Sequence, residues 1–224
     1  MPYAFRASAT SGNSSSNGLN VTKPAGTADN DLLKAVCYLE GSSGSNTWTP
    51  PAGWAIAGSP RSAGTEFNVV EYWKLASGEL TGACWVFTPA SVNNWRTIVV
   101  GAYSGGVNPA FDVWSGSSGL AATGVQNALS VTTTAASDMV TFCYGNFGGV
   151  NPTSTVGAAS TLRATLGGVG LAENVNASQG ATGISSACGT GTQDYVAIHV
   201  GFKLGTAGAA TTPRAYLRPW GIFG

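Results

Sequence analysis

The stretch Asp31-Leu-Leu-Lys-Ala-Val-Cys-Tyr-Leu39 decides the fold class. From Leu32 to Leu39 only Lys34 is polar, and successive side chains of a strand point to opposite faces. Both faces are therefore apolar, as a strand in the middle of a packed sandwich requires. Similar runs recur at Phe67 to Leu75, Ala83 to Phe87, Trp95 to Tyr103, Met139 to Tyr144 and Asp194 to Leu204, bounded by Gly, Pro, Asn or Ser. In the last of these Val196, Ile198, Val200 and Phe202 point one way, while Tyr195, Ala197, His199 and Lys203 point the other, which predicts one core face and one partly wet face. No stretch free of Gly and Pro carries apolar residues at helical spacing over a useful length, so helices are minor. The expected fold is an all-β, antiparallel, jelly-roll-like β-sandwich.

The two halves of the chain echo each other. Asp31-Leu-Leu-Lys-Ala-Val-Cys-Tyr38 resembles Asp138-Met-Val-Thr-Phe-Cys-Tyr144, and Trp95-Arg-Thr-Ile-Val-Val-Gly101 resembles Tyr195-Val-Ala-Ile-His-Val-Gly201. The Ala-Cys pairs at Cys84 and Cys188 fall near the same spacing, and a sandwich of pseudo-repeated halves follows. Ser11 to Gly18, Gly41 to Asn46 and Ser115 to Gly119 consist of Ser, Gly and Asn and read as exposed loops. Residues 1–204 are expected to form a single sandwich domain. Residues 205–224 change character, with a Gly, Ala and Thr spacer followed by an aromatic, basic, proline-bearing peptide. Tyr216, Leu217, Trp220, Ile222 and Phe223 put five large apolar groups near the end, and Arg214 and Arg218 make it basic. This predicts an extended arm that binds a partner, the alternative being an arm folded back over an edge strand of its own sandwich.

Composition narrows the function. The chain of 224 residues has 10 Lys and Arg against 10 Asp and Glu, so no basic field exists to hold a phosphate backbone, and no nucleic acid is expected as partner. Charged residues are 9% of the chain, against roughly 25% in ordinary proteins, while Ser and Thr number 47. The surface is expected to be rich in hydroxyls and poor in ions. Met-Pro-Tyr-Ala-Phe-Arg at the start has no apolar h-region and no run is long enough for a membrane span, which predicts neither secretion nor a membrane partner. Most or all of Cys37, Cys84, Cys143 and Cys188 are then expected as free thiols.

Few groups suit catalysis. His199 is the only histidine and lies inside a strand, no Gly-x-Ser-x-Gly elbow or paired-cysteine spacing occurs, and neither metal nor cofactor is expected. Glu40, Glu66, Glu71, Glu79, Asp112 and Glu173 offer carboxylates for glycoside cleavage, but nothing in the sequence pairs any two of them. Asp29-Asn-Asp31 reads as a turn rather than a calcium loop. Trp73, Trp85 and Trp95 lie in strand runs and read as core, whereas Trp48, Trp54 and Trp114 flank turns and are the candidates for stacking on a glycan.

An ordered set of segments resembles a known family: Thr22-Lys-Pro-Ala-Gly-Thr-Ala-Asp-Asn-Asp-Leu-Leu33, Trp48-Thr-Pro-Pro-Ala-Gly-Trp54, Tyr72-Trp-Lys-Leu-Ala76, Val100-Gly-Ala-Tyr-Ser-Gly105 and Asn108-Pro-Ala-Phe-Asp112. These are similar to the β-sandwich domains of tailed-phage virion proteins and some bacterial surface proteins, which carry a Pro-Ala-Gly-Trp turn and a Gly-Asp-Leu-Leu strand start. Asn30 stands where that pattern has glycine. The resemblance covers roughly residues 5–204 and carries no catalytic residue with it. It implies a non-enzymatic virion structural protein, such as a capsid decoration protein or a tail or fibre component, made in the host cytoplasm. Its implied partners are other virion proteins, with homo-oligomers in the particle. The alternative is a carbohydrate-binding or adhesion module on a virion or bacterial surface.

Overall fold

The computed structural model describes residues 3–12, 17–41, 48–80, 82–90, 95–105, 110–121, 125–147, 154–157, 159, 161–188 and 193–203. The proposed arm, with Arg214, Tyr216, Leu217, Arg218, Trp220, Ile222 and Phe223, lies outside the described residues.

The first half contributes β1 (Ala4–Gly12), β2 (Leu19–Thr22), β3 (Leu32–Glu40), β4 (Trp48–Thr49), β5 (Ala55–Ile56), β6 (Arg61–Ala63), β7 (Phe67–Leu75), β8 (Cys84–Pro89) and β9 (Arg96–Ser104). The second contributes β10 (Ala110–Ala121), β11 (Val125–Ala128), β12 (Thr132–Thr133), β13 (Asp138–Asn146), β14 (Ser154–Gly157), β15 (Thr161–Leu166), β16 (Val169–Ala177), β17 (Gly180–Ala181), β18 (Ser185–Cys188) and β19 (Gln193–Lys203). The described residues form no helix, and the fold is all-β with antiparallel sheets.

The two halves have one plan. In the first, a large sheet runs β1-β9-β3-β7-β5, with β6 also on β7, and a small sheet runs β2-β8-β4. In the second, the large sheet runs β10-β19-β13-β16-β15 and the small one β11-β18-β14, with a β12–β17 ladder beside it. Even the irregularities repeat, since β1 bulges at Arg6 between Phe5 and Ala7, and β10 at Asp112 between Phe111 and Val113.

Register fixes the equivalence residue by residue. Lys34 lies between Trp73 and Gly101, and Thr141 between Glu173 and Val200. Tyr38 lies between Val69 and Thr97, and Gly145 between Val169 and Val196. These pairings correct the letter-by-letter echo. Cys37 and Cys143 match as letters but face different cores, because one residue of slip turns every side chain to the other face. The match of Trp95–Gly101 to Tyr195–Gly201 is displaced by one residue for the same reason.

Four layers result. The large sheets face each other across a central core that takes Leu32, Val36, Tyr38, Phe67, Val99 and Tyr103 from the first half, and Met139, Cys143, Leu171, Val196, Ile198 and Phe202 from the second. Each small sheet closes an outer core against its own large sheet. The first is aromatic, with Trp48, Trp54, Tyr72, Trp85 and Phe87, whereas the second is built from smaller residues such as Ala128, Val131, Ala187 and Ala197 with Phe142 and Tyr144. β1 packs on β15 and β6 on β10, so an approximate two-fold axis runs along the strands between β3 and β13.

Four expectations change at this level. Ser11 and Gly12, read as the start of a loop, end β1 and pair with Ile98 and Thr97 of β9. The His199 face of β19 is buried at Ala197 and His199, because the second small sheet covers it, and half-exposed at Tyr195 and Lys203. Ser115 to Gly119 is strand within β10, where the ladder to β19 from Ser115↔His199 to Gly119↔Tyr195 overrides a loop-like composition. Trp95 stands just before β9 and is exposed rather than core. The turn at Pro51–Trp54 follows its residues, for Gly53 has φ 85° and the Trp54 N–H donates to the Pro51 carbonyl. Asn30 takes φ 68°, the left-handed conformation that glycine adopts freely and Asn tolerates.

Candidate functional site

The polar chemistry of the molecule collects at the seam between the two large sheets. At its centre the Lys34 ammonium, fully buried, contacts Glu71 Oε2 and donates to Thr141 Oγ1. The Phe202 ring lies 5.0 Å from the same nitrogen. The Thr141 hydroxyl donates onward to the Val200 carbonyl at 3.3 Å. Burial pushes the Glu71 carboxyl up, and the Lys34 charge and the Cys143 thiol pull against it. Burial likewise pushes the Cys143 thiol up, with the Glu71 charge adding to the shift. The lysine thus has a carboxylate, a hydroxyl and a ring face around it, a buried ion pair.

At the two edges of the seam an arginine of one half covers an aromatic ring of the other. Arg163 of β15 lies 4.5 Å over Phe5, and Arg61 of β6 lies 5.0 Å over Trp114. Arg163 also holds the buried Glu173 through Nε at 2.7 Å. Burial raises the Glu173 carboxyl, opposed by Arg163 and by the nearby Tyr103 hydroxyl.

A third cluster sits where β10, β13 and β19 meet. Asp112 receives Thr134 N at 2.8 Å, Thr134 Oγ1 at 2.7 Å and Lys203 Nζ at 2.9 Å. Against the cost of its burial, these bonds hold the Asp112 carboxyl below its ordinary range. Its neighbour Asp138 is pushed up to about 6, first by burial and then by the Asp112 charge. The Tyr3 hydroxyl donates to the Lys203 carbonyl at 2.8 Å beside them.

The sequence candidates fall mostly outside these clusters. Trp48 and Trp54 are buried in the first outer core, where Trp54 packs edge-on against Trp85 at 5.3 Å and Phe87 at 5.2 Å. Neither has an open ring face for a sugar, because the turns that flank them fold the indoles inward. Trp114 is half-buried under Arg61. Glu71 and Glu173 each hold a cation, and Asp31 and Asp29 accept the backbone N–H groups of Ala28 and Gly78 at 2.7 Å, as turn residues do. His199 Nδ1 donates to the Leu129 carbonyl at 2.8 Å as the neutral imidazole. Burial lowers it to about 4, with the Lys34 charge adding to the fall. Cys37 and Cys143 are buried free thiols and Cys84 an exposed one.

Sequence reasoning passed over Lys34, Thr141, Arg61 and Arg163. A signal existed: Thr27-Ala-Asp-Asn-Asp31 and Thr134-Ala-Ala-Ser-Asp138 align without a gap and place Lys34 on Thr141. These features define a duplicated all-β sandwich with a polar seam. Compared with known proteins, the chain matches no family model, no curated protein and no solved structure.

Proposed function

We propose that the protein is a non-enzymatic structural subunit of a tailed-phage particle, an accessory subunit that decorates the capsid or forms part of the tail or a fibre. Residues 205–224 serve as its arm onto a neighbouring virion protein or another copy of the chain. The observation that carries this reading is where the charges go. Lys34, Glu71, Asp112, Asp138 and Glu173 are held inside. The outer face of the first small sheet presents Asn20, Thr22, Thr49, Val86 and Thr88. An uncharged, hydroxyl-bearing face packs laterally against a neighbour with little desolvation of charge and no like-charge repulsion. The resemblance of the Pro-Ala-Gly-Trp segment and its neighbours to virion β-sandwich domains points the same way.

The test deletes residues 206–224 and measures thermal unfolding of the isolated protein together with its incorporation into particles. A folded, soluble deletant that no longer incorporates is the expected result. Normal incorporation rejects the arm, and absence of the full-length protein from banded particles rejects the structural role.

A further inference from the structure

The approximate two-fold relation of the halves brings two inward residues of β3, Lys34 and Tyr38, opposite their own counterparts in β13, and at both levels the counterparts differ greatly in size. Lys34 donates to Thr141. Four residues on, Tyr38 lies over Gly145, where an added Cβ would stand 3.2 Å from Tyr38 Cδ2 and 2.7 Å from Val69 Cγ2. The ion pair is likewise confined to one half, since Glu71 sits beside Val36 and its counterpart Leu171 beside Cys143.

We infer that the seam is a partner-selective interface, in which Lys34 and Tyr38 make the inner face of the first half accept only the inner face of a second half. Two first halves would bring two lysine side chains and two tyrosine rings to the places where Thr141 and Gly145 now leave room. Each ammonium would keep its own Glu71 but exchange a hydroxyl acceptor for a second ammonium, in a core shut off from solvent. The added volume would also force the sheets apart. Two second halves would place Thr141 against Thr141 and Gly145 against Gly145, leaving unfilled space at both levels. Only the unlike pairing fills the seam and gives the ammonium its hydroxyl acceptor. Each half closes an outer core of its own and would otherwise be free to pair with its like. Selective pairing of the halves is independent of any role of the protein in a particle.

The test uses the whole chain with a protease site inserted between Gly105 and Ala110, cleaved after folding so that both halves are retained. Unfolded in denaturant and refolded by dilution, the halves compete for every pairing, and native mass spectrometry reads the composition of each pair. First–second pairs alone are expected. Like pairs as abundant as random association gives would overturn the inference. A second measurement uses the uncut chain. Thr141→Lys sets two lysines at one level and is expected to lower the melting temperature by about 10 °C. Moving the ion pair to the other half, with Lys34→Thr, Glu71→Leu, Thr141→Lys and Leu171→Glu together, is expected to restore most of that loss. A Thr141→Lys protein that melts like the wild type, or a fourfold variant no better than the single one, would also overturn it.

Discussion

Asp31 and Asp138 stand at equivalent points of the two halves and meet opposite charges. Each follows a residue in the left-handed conformation, Asn30 at φ 68° and Ser137 at φ 63°. Each accepts a backbone N–H from three residues earlier, Ala28 at 2.7 Å and Ala135 at 3.3 Å. The bulge residue of the neighbouring edge strand then decides the rest. In the first half it is Arg6, whose Nε lies 2.6 Å from Asp31 Oδ2. In the second it is Asp112, which takes the Lys203 cation for itself and confronts Asp138 with a second carboxylate.

That difference makes the second half pH-sensitive. Asp138 titrates near 6 when folded and near 3.9 when unfolded, so the folded protein binds the extra proton between those values. Its contribution to stability is present in full below about pH 4 and is lost as pH rises through 6. Asp138→Asn keeps an oxygen for the Ala135 N–H and removes the charge. The variant is expected to be more stable than wild type above pH 7 by about 1–2 kcal/mol, and no more stable at pH 4. Urea unfolding at the two pH values reads this directly, and an equal gain at both would show that Asp138 is not the titrating group.

The buried ion pair predicts an asymmetry between single and double variants. Lys34→Met leaves the Glu71 carboxyl in the dry core without its cation and is expected to cost about 3–5 kcal/mol. Lys34→Met with Glu71→Leu removes both charges at nearly constant volume and is expected to recover most of that loss. Denaturant melts of both variants and the wild type form the measurement. A double variant as unstable as the single one would mean that packing of the lysine stem, not its charge, sets the cost.

The strands of the large sheets were legible in the sequence because burial on both faces leaves unbroken apolar runs. Leu32 to Leu39 and Phe67 to Leu75 appear in the structure almost to the residue as β3 and β7. β10 was not legible, for Ser115 to Gly119 has the composition of a loop and becomes strand only because β19 lies beside it. The same limit applied to the tryptophans. Local sequence places Trp48 and Trp54 at a turn but says nothing of the core formed by Tyr72, Trp85 and Phe87 into which the turn delivers them. The pseudo-repeat was visible, yet its register was not, since strands differing by one residue look alike as letters and opposite as faces. The polar seam was hidden because its members come from β3, β7, β13 and β19, which only the docking of the two large sheets brings together.

The thiols give a simple check on burial. Cys37 and Cys143 lie in two different cores, and desolvation raises both well above the usual range, so neither forms thiolate at neutral pH. Cys84 is exposed at the start of β8. Iodoacetamide on the native protein, followed by peptide mass spectrometry, is expected to label Cys84 and to spare Cys37 and Cys143 until denaturant is added. Label on Cys143 in the native state would mean that the seam opens.

The two arginine clamps separate a ring contact from a buried charge. Arg61 and Arg163 occupy the equivalent strands β6 and β15, and each covers an aromatic ring of the opposite half at 5.0 and 4.5 Å. Only Arg163 also neutralises a buried carboxylate, that of Glu173. Arg61→Ala is therefore expected to cost about 0.5–1 kcal/mol, with little change between pH 5 and pH 8. Arg163→Ala loses the ring contact and leaves the buried Glu173 carboxylate without its cation, a loss of about 2–4 kcal/mol at pH 8. Removing the arginine raises the folded Glu173 carboxyl further, so the folded state holds its proton to higher pH and the variant regains stability as pH falls. Arg163→Lys keeps the charge without the planar fork and is expected to restore part of the loss at pH 8. Thermal melts of the three variants at both pH values decide the matter. An Arg163→Ala deficit that is the same at pH 5 and pH 8 would assign the clamp to ring packing alone.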